Sequence, residues 1–271
     1  MKITRSASHR ALMALSVLML CCIAFPGSAG ADVLNTRPVT VSAPNVGAEK
    51  TLQETLDKTG STINVNTDQS PFSLFMPTAD NSATLTLRLE ETIFDSTMGL
   101  YQLGNPAFLL PVILADGQPG KVGLFSDVTF NADGVMGRVR IDRFDDKGDP
   151  LTTVTVDGFG TMFGFYIQYT ASMVTNTFYS EDSRNADGKA HFLAFAGNGA
   201  ETGLWYFAFE DSFNLAIDSD YNDYVISASG LKPITEEPPQ VVVPEPGSLM
   251  LLGAGILGLG AMRKKRLRGE G

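Results

Sequence analysis

The chain has 271 residues and a formal net charge of −10 at pH 7, and its only cysteines are Cys21 and Cys22. The two ends are basic, so the stretch 32–243 holds 12 basic and 28 acidic residues, a net charge of −16. Such an acidic chain disfavours nucleic acid and anionic membrane surfaces as partners and attracts divalent cations.

The first 31 residues have the three parts of a secretory signal peptide. Basic residues precede an apolar segment at 11–24, and Ala29 and Ala31 form an A-x-A cleavage site. We therefore predict a mature chain that begins at Asp32 and has no cysteine. This excludes thiol catalysis and cysteine-ligated zinc, and a single remaining histidine excludes histidine-rich metal sites.

Residues 48–60 form the best predicted helix of the mature chain. Leu52 and Leu56 share one face, and Gly60 is suited to end the helix. At about three turns, this helix needs support from tertiary packing.

From Ile63 onward the pattern is that of β-strands. Residues Thr84–Glu90 alternate strictly, which places Leu85, Leu87 and Leu89 on one face. Further strands are predicted at Lys121–Phe130, Gly137–Arg143, Leu151–Val156, Thr161–Tyr169 and His191–Ala196. Short strands separated by turns rich in Asp and Gly predict an all-β fold, an antiparallel β-sandwich or jelly roll over 32–231 with one short N-terminal helix.

The last forty residues differ in composition from the rest. Residues 232–243 are proline-rich and acidic, as in an extended linker. An apolar stretch at 247–262 then precedes a basic cluster, which predicts a C-terminal helix that inserts transiently in the inner membrane with its basic end in the cytoplasm. The three features of the terminal segment are Pro244-Glu245-Pro246, the apolar stretch, and Arg263, Lys264, Lys265 and Arg266.

Segment 244–271 resembles the PEP-CTERM sorting signal of Gram-negative exported proteins, because the triplet, the apolar helix and the basic end occur in the same order. The resemblance implies recognition and removal by an exosortase-type sorting enzyme. It also implies export to the cell surface or the extracellular space, and it says nothing about the activity of the region before it.

The loop between two apolar runs, Trp205–Phe209 and Tyr224–Ala228, carries five carboxylates and no lysine or arginine. Oxygen side chains at alternate positions are what Ca²⁺ requires, since it takes six to eight oxygen ligands. The spacing of Asp218, Asp220 and Asn222 matches the opening of an EF-hand loop, but the sixth and twelfth positions lack its Gly and Glu, which argues against that motif. The predicted Ca²⁺ ligands are Glu210, Asp211, Asp218, Asp220, Asn222 and Asp223, joined by Asn185 and Asp187 from a neighbouring turn.

Residues 177–231 also resemble a bacterial surface domain of unknown function. The match rests on Asn185-x-Asp187-Gly188-x-x-His191, Phe209-Glu210-Asp211 and Asp218-x-Asp220-Tyr221-Asn222-Asp223. That domain recurs in calcium-linked surface and secreted proteins, so the resemblance implies a related role here.

Three alternatives to a calcium-binding, non-enzymatic surface protein remain open from the sequence. The acidic residues could form ordinary solvated turns, with His191 hydrogen-bonded to the turn at Asp187. Glu210 with Asp223 or Asp187 could form the carboxylate pair of a glycosidase. The aromatic run at 205–209 could line the groove of a carbohydrate-binding module whose partner is an extracellular polysaccharide, although buried strand residues are the simpler interpretation.

Overall fold

The structure is a computed structural model that describes residues 37–44, 49–91, 96–114, 122–171, 174–212, 214–216 and 218–235. The predicted signal peptide with its cleavage site, the linker from residue 236 and the whole sorting segment 244–271 lie outside these residues. Among the described residues, no helix has the length and apolar character needed to cross a bilayer.

Strands dominate the described part of the chain, accompanied by one short α-helix and three 3-10 turns. The helix α1 is Leu52–Asp57, and the strands are β1 Leu74–Pro77, β2 Ser82–Glu90, β3 Ser96–Gln102, β4 Asn105–Leu114, β5 Phe125–Phe130, β6 Val139–Phe144, β7 Pro150–Val156, β8 Phe163–Ala171, β9 Val174–Tyr179, β10 Phe192–Ala196, β11 Trp205–Phe209, β12 Tyr224–Ser229 and β13 Leu231–Pro233.

The strands form two sheets in which every pairing is antiparallel. One sheet has seven strands in the order β10-β11-β12-β2-β5-β6-β7. The other has six, in the order β13-β1-β8-β3-β4, with β9 on the same edge of β8 as β1. This architecture confirms the predicted antiparallel β-sandwich.

The main core lies between the two sheets and is rich in phenylalanine. Phe165 of the six-stranded sheet and Phe207 of the seven-stranded sheet are fully buried, with ring centroids 4.3 Å apart. Tyr206 and Ala208 of the same strand β11 are buried in a second cluster on the outer face. Because both faces of β11 are covered, its sequence is continuously apolar instead of alternating.

Helix α1 covers the outer face of the seven-stranded sheet through buried Leu52 and Leu56. It begins at Thr51, whose side chain accepts from the Glu54 N–H while the Glu54 carboxylate accepts from the Thr51 N–H. Gly60, with a φ of +86°, follows the helix as expected. The helix spans six residues, fewer than the predicted 48–60, because this capping box fixes its start at Thr51.

The predicted strict alternation of β2 is wrong at its end. Leu85 and Leu87 face the inner core, whereas Leu89 belongs to the outer cluster. The register explains the change, because Ile226 pairs with Leu87 and Val225 with Leu89, so that the extra residue Arg88 forms a β-bulge. A bulge of one residue reverses the faces of every residue beyond it.

Several strands of the structure have weaker sequence patterns than the strands that the sequence predicts. The sequence did not predict the strands β1, β3, β4, β9 and β13. The strand predicted at Lys121–Phe130 begins only at Phe125, since residues 122–124 are described and are not part of a strand. The segment predicted as a linker starts inside the sandwich, because Lys232 and Pro233 pair with β1 and Ile234 is buried. Pairing with distant strands stabilises β1, β3 and β13, whereas β4 and β9 pair with the strands next to them in the sequence.

Candidate metal centre

Four neighbouring strands place the ends of the acidic loop, together with His191 and Glu91, at one end of the seven-stranded sheet. Glu210 follows β11, Asp223 precedes β12, His191 precedes β10 and Glu91 follows β2. The backbones continue the sheet pairing there, since the Glu210 N–H donates to the His191 carbonyl at 3.1 Å and the Glu91 N–H to the Asp223 carbonyl at 3.0 Å. The site is therefore attached to regular strands on both sides.

The acidic loop folds so that its carboxylates converge in two groups that share Glu210. In the first group, carboxylate oxygens of Glu210, Asp218 and Asp220 lie within 4.8 Å of one another. The second group joins Glu210 with Asp211 and Asp223 within the same distance. Spacings of this size suit oxygens that surround one cation, because Ca²⁺ binds its ligands at about 2.3–2.6 Å.

Glu210 is at the centre of this arrangement and has no exposed surface. Its Oε1 accepts from the Ser212 N–H at 3.0 Å, and its Oε2 accepts from the Tyr221 N–H at 3.3 Å. Each carboxylate oxygen has a second lone pair, so these bonds fix the orientation of the group and leave it able to bind an ion.

The other members of the loop are oriented in the same way. Asp223 accepts from the Asp211 N–H at 2.7 Å, and Asp220 accepts from the Asn222 N–H at 3.3 Å. The buried Asn222 side chain donates to the Lys50 carbonyl at 3.0 Å. Asn222 thus connects the acidic loop to the segment before α1.

Tyr221 turns the chain between two of the acidic positions and has a φ of +53°, which is uncommon for a bulky residue. Its ring is buried, and its hydroxyl donates to the Ala190 carbonyl at 2.9 Å. This anchored turn directs the Tyr221 N–H at Glu210 and places Asp220 beside it. Backbone strain of this kind is concentrated at functional sites.

Burial and mutual repulsion raise the pKa values of the carboxyl groups. Burial raises the pKa of Glu210 to about 7, with the charges of Asp218 and Asp220 acting in the same direction. Burial also raises the pKa of Asp220 to about 6. The pKa of Asp223 is raised well above its usual value by burial and by the charges of Glu210 and Asp211. Ionising the whole cluster is therefore costly without a cation.

Two acidic residues that the sequence reasoning missed lie near this loop. Burial and the charges of Asp218 and Glu91 raise the pKa of Glu49, which places all three in one electrostatic neighbourhood. Glu91 directly follows the predicted strand at Thr84–Glu90, but only the pairing of β2 with β12 brings it beside Asp223. Glu49 had no distinguishing signal in the sequence.

The second predicted turn contributes differently from the first. The side-chain amide of Asn185 accepts from the Tyr179 N–H at 2.7 Å and donates to the Lys189 carbonyl at 2.8 Å. Both its oxygen and its nitrogen are therefore hydrogen-bonded to backbone groups close to it in the chain. Asp187 bonds the Nε2 of His191 at 3.1 Å, as expected for a packing histidine. Neither Asn185 nor Asp187 belongs to the convergent acidic groups, and His191 lies between Asp187 and Glu210.

The buried histidine connects the two turns. Its Nδ1 lies 3.0 Å from the Glu210 carbonyl, and its ring stacks on Phe178 at a centroid distance of 4.0 Å. Burial opposes ionisation of Asp187, yet hydrogen bonds from the Lys189 N–H and from His191 lower its pKa. Asp187 is thus stabilised as a charged partner of the histidine, in contrast to the carboxyls of the acidic loop.

The surroundings of Glu210, Asp218 and Asp220 offer no cationic partner in the part of the chain that the structure describes, and they shield Glu210 from solvent. Among the described residues, no lysine or arginine forms an ion pair with Glu210, Asp218 or Asp220. With Glu210 fully buried, a glycosidic bond has no access to it. The aromatic run is also largely covered, since Tyr206, Phe207 and Phe209 have no exposed surface and Trp205 packs, partly buried, against the main core.

Comparison with known proteins identifies the C-terminal segment. The family described as the PEP-CTERM protein-sorting motif matches residues 242–266. This confirms the predicted sorting signal, which marks exported proteins of Gram-negative envelopes and implies exosortase-dependent export. The match includes the triplet 244–246 and the basic residues 263–266, and it does not extend to the sandwich.

For the sandwich itself, the comparisons give much less. No curated protein matches the chain. Among solved structures, the Chromobacterium violaceum lectin CV2L in complex with alpha-methyl-fucoside is similar over 60% of this chain and 96% of the lectin chain, with 12% identity and a TM-score of 0.25. A similarity of this size carries no argument about a ligand. The resemblance of 177–231 to a surface domain of unknown function stays a prediction.

Proposed function

We propose that this protein is a calcium-binding β-sandwich that acts, without catalysis, at the cell surface or in the extracellular matrix after exosortase-dependent sorting. One ion is bound between Glu210, Asp218 and Asp220. The observation that carries the proposal is the convergence of these three carboxylates, within 4.8 Å, around the fully buried Glu210.

Three features support a cation at this position. Burial and neighbouring charges raise the pKa values of Glu210 and Asp220, so an ion that neutralises them removes a cost already present in the fold. Backbone N–H groups orient the carboxylates before binding. Asp218 is half-buried, which gives an ion a route from solvent.

Calcium is favoured over other cations by the ligand chemistry. The set consists of carboxylate oxygens, and Ca²⁺ accepts irregular arrangements of six to eight oxygens, whereas Mg²⁺ demands a near-ideal octahedron. Asp211 and Asp223 lie in the same loop and form the second group of carboxylates around the shared Glu210.

The role of the ion is to stabilise the end of the sheet where the acidic loop joins β11 to β12. A ligand that binds only the folded protein stabilises it by about 2.7 kcal/mol at a concentration 100 times its Kd. Extracellular calcium would then hold the surface protein in its folded form outside the cell.

Calorimetric titration of the purified, chelator-treated protein with CaCl₂ tests this proposal. We expect saturable binding to the protein and its loss in the variant Asp220→Asn, which keeps the size of the side chain and removes its charge. The matched control Asp133→Asn alters an exposed aspartate in another turn and should bind Ca²⁺ as the parent does. Absence of calcium binding by the correctly folded parent would refute the proposal.

A further inference from the structure

A cavity of about 410 Å³ lies where α1 packs against β2 and the chain leading into β5. Its volume is within the range of small-molecule sites in proteins, about 300–1,000 Å³. The apolar floor consists of Leu89 of β2 and the exposed Val122, and the hydroxyl-bearing residues Thr55 and Thr59 line the cavity from the side of the helix. This cavity has no part in the candidate metal centre.

Three cationic residues line this one cavity. Lys50 precedes α1, Lys58 follows it, and Arg88 comes from β2. Residues 32–243 contain only 12 basic residues against 28 acidic ones, so three cations in one concavity stand out against the charge of the rest. None of the three forms an ion pair with a carboxylate of the described chain.

Hydrogen bonds fix the guanidinium of Arg88 and the backbone of Lys50. Arg88 is the residue that the β-bulge inserts, and its Nε donates to the Ser227 hydroxyl at 2.7 Å. This bond orients the guanidinium and leaves its two terminal nitrogens for another acceptor. The backbone of Lys50 is fixed by the hydrogen bond from Asn222. Bulges commonly redirect a side chain toward a functional site.

The surroundings limit the size of a ligand. Lys50 and Lys58 also line a more open neighbouring surface that carries Glu49, Glu54 and Asp57. A long polyanion that ran out of the cavity in that direction would meet these carboxylates. The positive charge is therefore confined to the cavity, which suits a compact anion.

We propose that this cavity binds a small molecule bearing a carboxylate or phosphate group. Arg88 and Lys58 bind the anionic group, Lys50 adds a third positive charge, and the apolar floor contacts the remainder of the ligand. Arginine and lysine both bind such oxyanions, arginine through two parallel hydrogen bonds. The site is separate from the calcium proposal and does not depend on it.

Calorimetric titrations in chelator at constant ionic strength test the proposal. The probes are galacturonate for carboxylates, inorganic phosphate for phosphates, and galactose as a neutral control. We expect saturable binding of at least one anion and none of galactose. Binding of one anion alone identifies the chemistry of the ligand, and the proposal holds for either.

Matched variants assign the binding to this cavity. Lys58→Gln and Arg88→Gln should each weaken anion binding about three- to tenfold, and the double variant should abolish it. Lys147→Gln, in an exposed turn, should bind as the parent does. Melting curves verify that the variants are folded.

Three results would overturn the proposal. The first is that neither anion binds the folded parent. The second is that Lys147→Gln weakens binding as much as the cavity variants do. The third is that anions bind only when Ca²⁺ is added and are unaffected by Lys58→Gln and Arg88→Gln, which would assign them to a calcium-bound state of the acidic loop.

Discussion

Two acidic turns of this protein look alike in the sequence and differ in the structure. The turn Asp145–Asp149 joins β6 to β7, and the loop Glu210–Asp223 joins β11 to β12. In the first, Asp145 accepts from the N–H groups of Lys147 and Asp149 near solvent, and these bonds lower its pKa. In the second, burial raises the pKa values of the carboxyls. Only in the second turn would a cation offset the cost of ionising buried carboxylates.

The difference teaches that burial, more than the number of acidic residues, separates a solvated turn from a candidate metal site. Strands β6 and β7 end the seven-stranded sheet, and β7 is exposed along most of its length. Strands β11 and β12 lie inside the sheet and are covered on both faces. Carboxylates at the end of such covered strands lose water that carboxylates at the edge keep.

The largest expected effect is a pH dependence of the metal-free protein. Glu210 and Asp220 have raised pKa values in the folded state, so the stability they contribute is complete below about pH 4, their ordinary range, and is lost as the pH rises through about 6 and 7. In chelator we expect the free energy of unfolding to fall by about 3 kcal/mol between pH 5 and pH 8, since one pKa unit corresponds to about 1.4 kcal/mol.

Denaturant unfolding at both pH values, in chelator and in calcium, measures this effect. Calcium should remove the fall, because it favours the ionised carboxylates that high pH produces. Glu210→Gln should flatten the pH dependence in chelator, whereas Asp145→Asn should leave it as in the parent. Equal stability of the chelated parent at pH 5 and pH 8 would contradict the proposed cost of ionisation.

The next largest effect concerns the calcium response itself. Glu210→Gln removes the carboxylate shared by both acidic groups and should eliminate the stabilisation by calcium, about 2.7 kcal/mol at 100 times the Kd. For a domain of about 200 residues this corresponds to a loss of about 5–10 °C in Tm. Thermal melts with and without calcium measure it.

Asp145→Asn is the matched control for that experiment, since it removes one carboxylate from the solvated turn. Its calcium-induced increase in Tm should equal that of the parent. If both variants lost the same increment, calcium would be acting through the overall negative charge and not through the buried site.

The smallest effect is expected at Tyr221. Tyr221→Phe removes the hydrogen bond to the Ala190 carbonyl and should cost about 1 kcal/mol of stability. Because this bond anchors the turn whose N–H holds Glu210, calcium affinity should also fall, by up to about tenfold. Calorimetric titration and thermal melts measure the two quantities.

Tyr206→Phe provides the comparison, since its hydroxyl donates to Glu201 on the outer face. It should lose similar stability and keep its calcium affinity. A drop in affinity with Tyr206→Phe, or none with Tyr221→Phe, would show that the anchored turn does not position the site.

The acidic loop was recognisable before the structure because its charge is local in the sequence. Five carboxylates within 14 residues, flanked by two apolar runs, identify a loop between buried strands. The roles of Asn185 and Asp187 could not be assigned in that way. One is used within its own turn and the other bonds His191, and these contacts depend on how the turn folds.

The local pattern of apolar and polar residues does not show which residues from distant segments come into contact. Arg37 lies before the first predicted helix, in a segment with no clear sequence pattern, yet its guanidinium makes a buried ion pair with Asp182 at 2.9 Å. Leu89 faces the outer cluster only because the bulge at Arg88 shifts the register. Neither a long-range ion pair nor a bulge changes the local pattern of apolar and polar residues.

The sequence alone determined the destination of this protein, its β class and the position of its acidic loop. Sorting signals are recognised as short linear segments of sequence, and the alternation of apolar residues is a local property of strands. The tertiary structure decided which carboxylates are buried together, which cations share a cavity, and which face Leu89 occupies. These depend on strand order, register and burial, which bring together residues far apart in the chain.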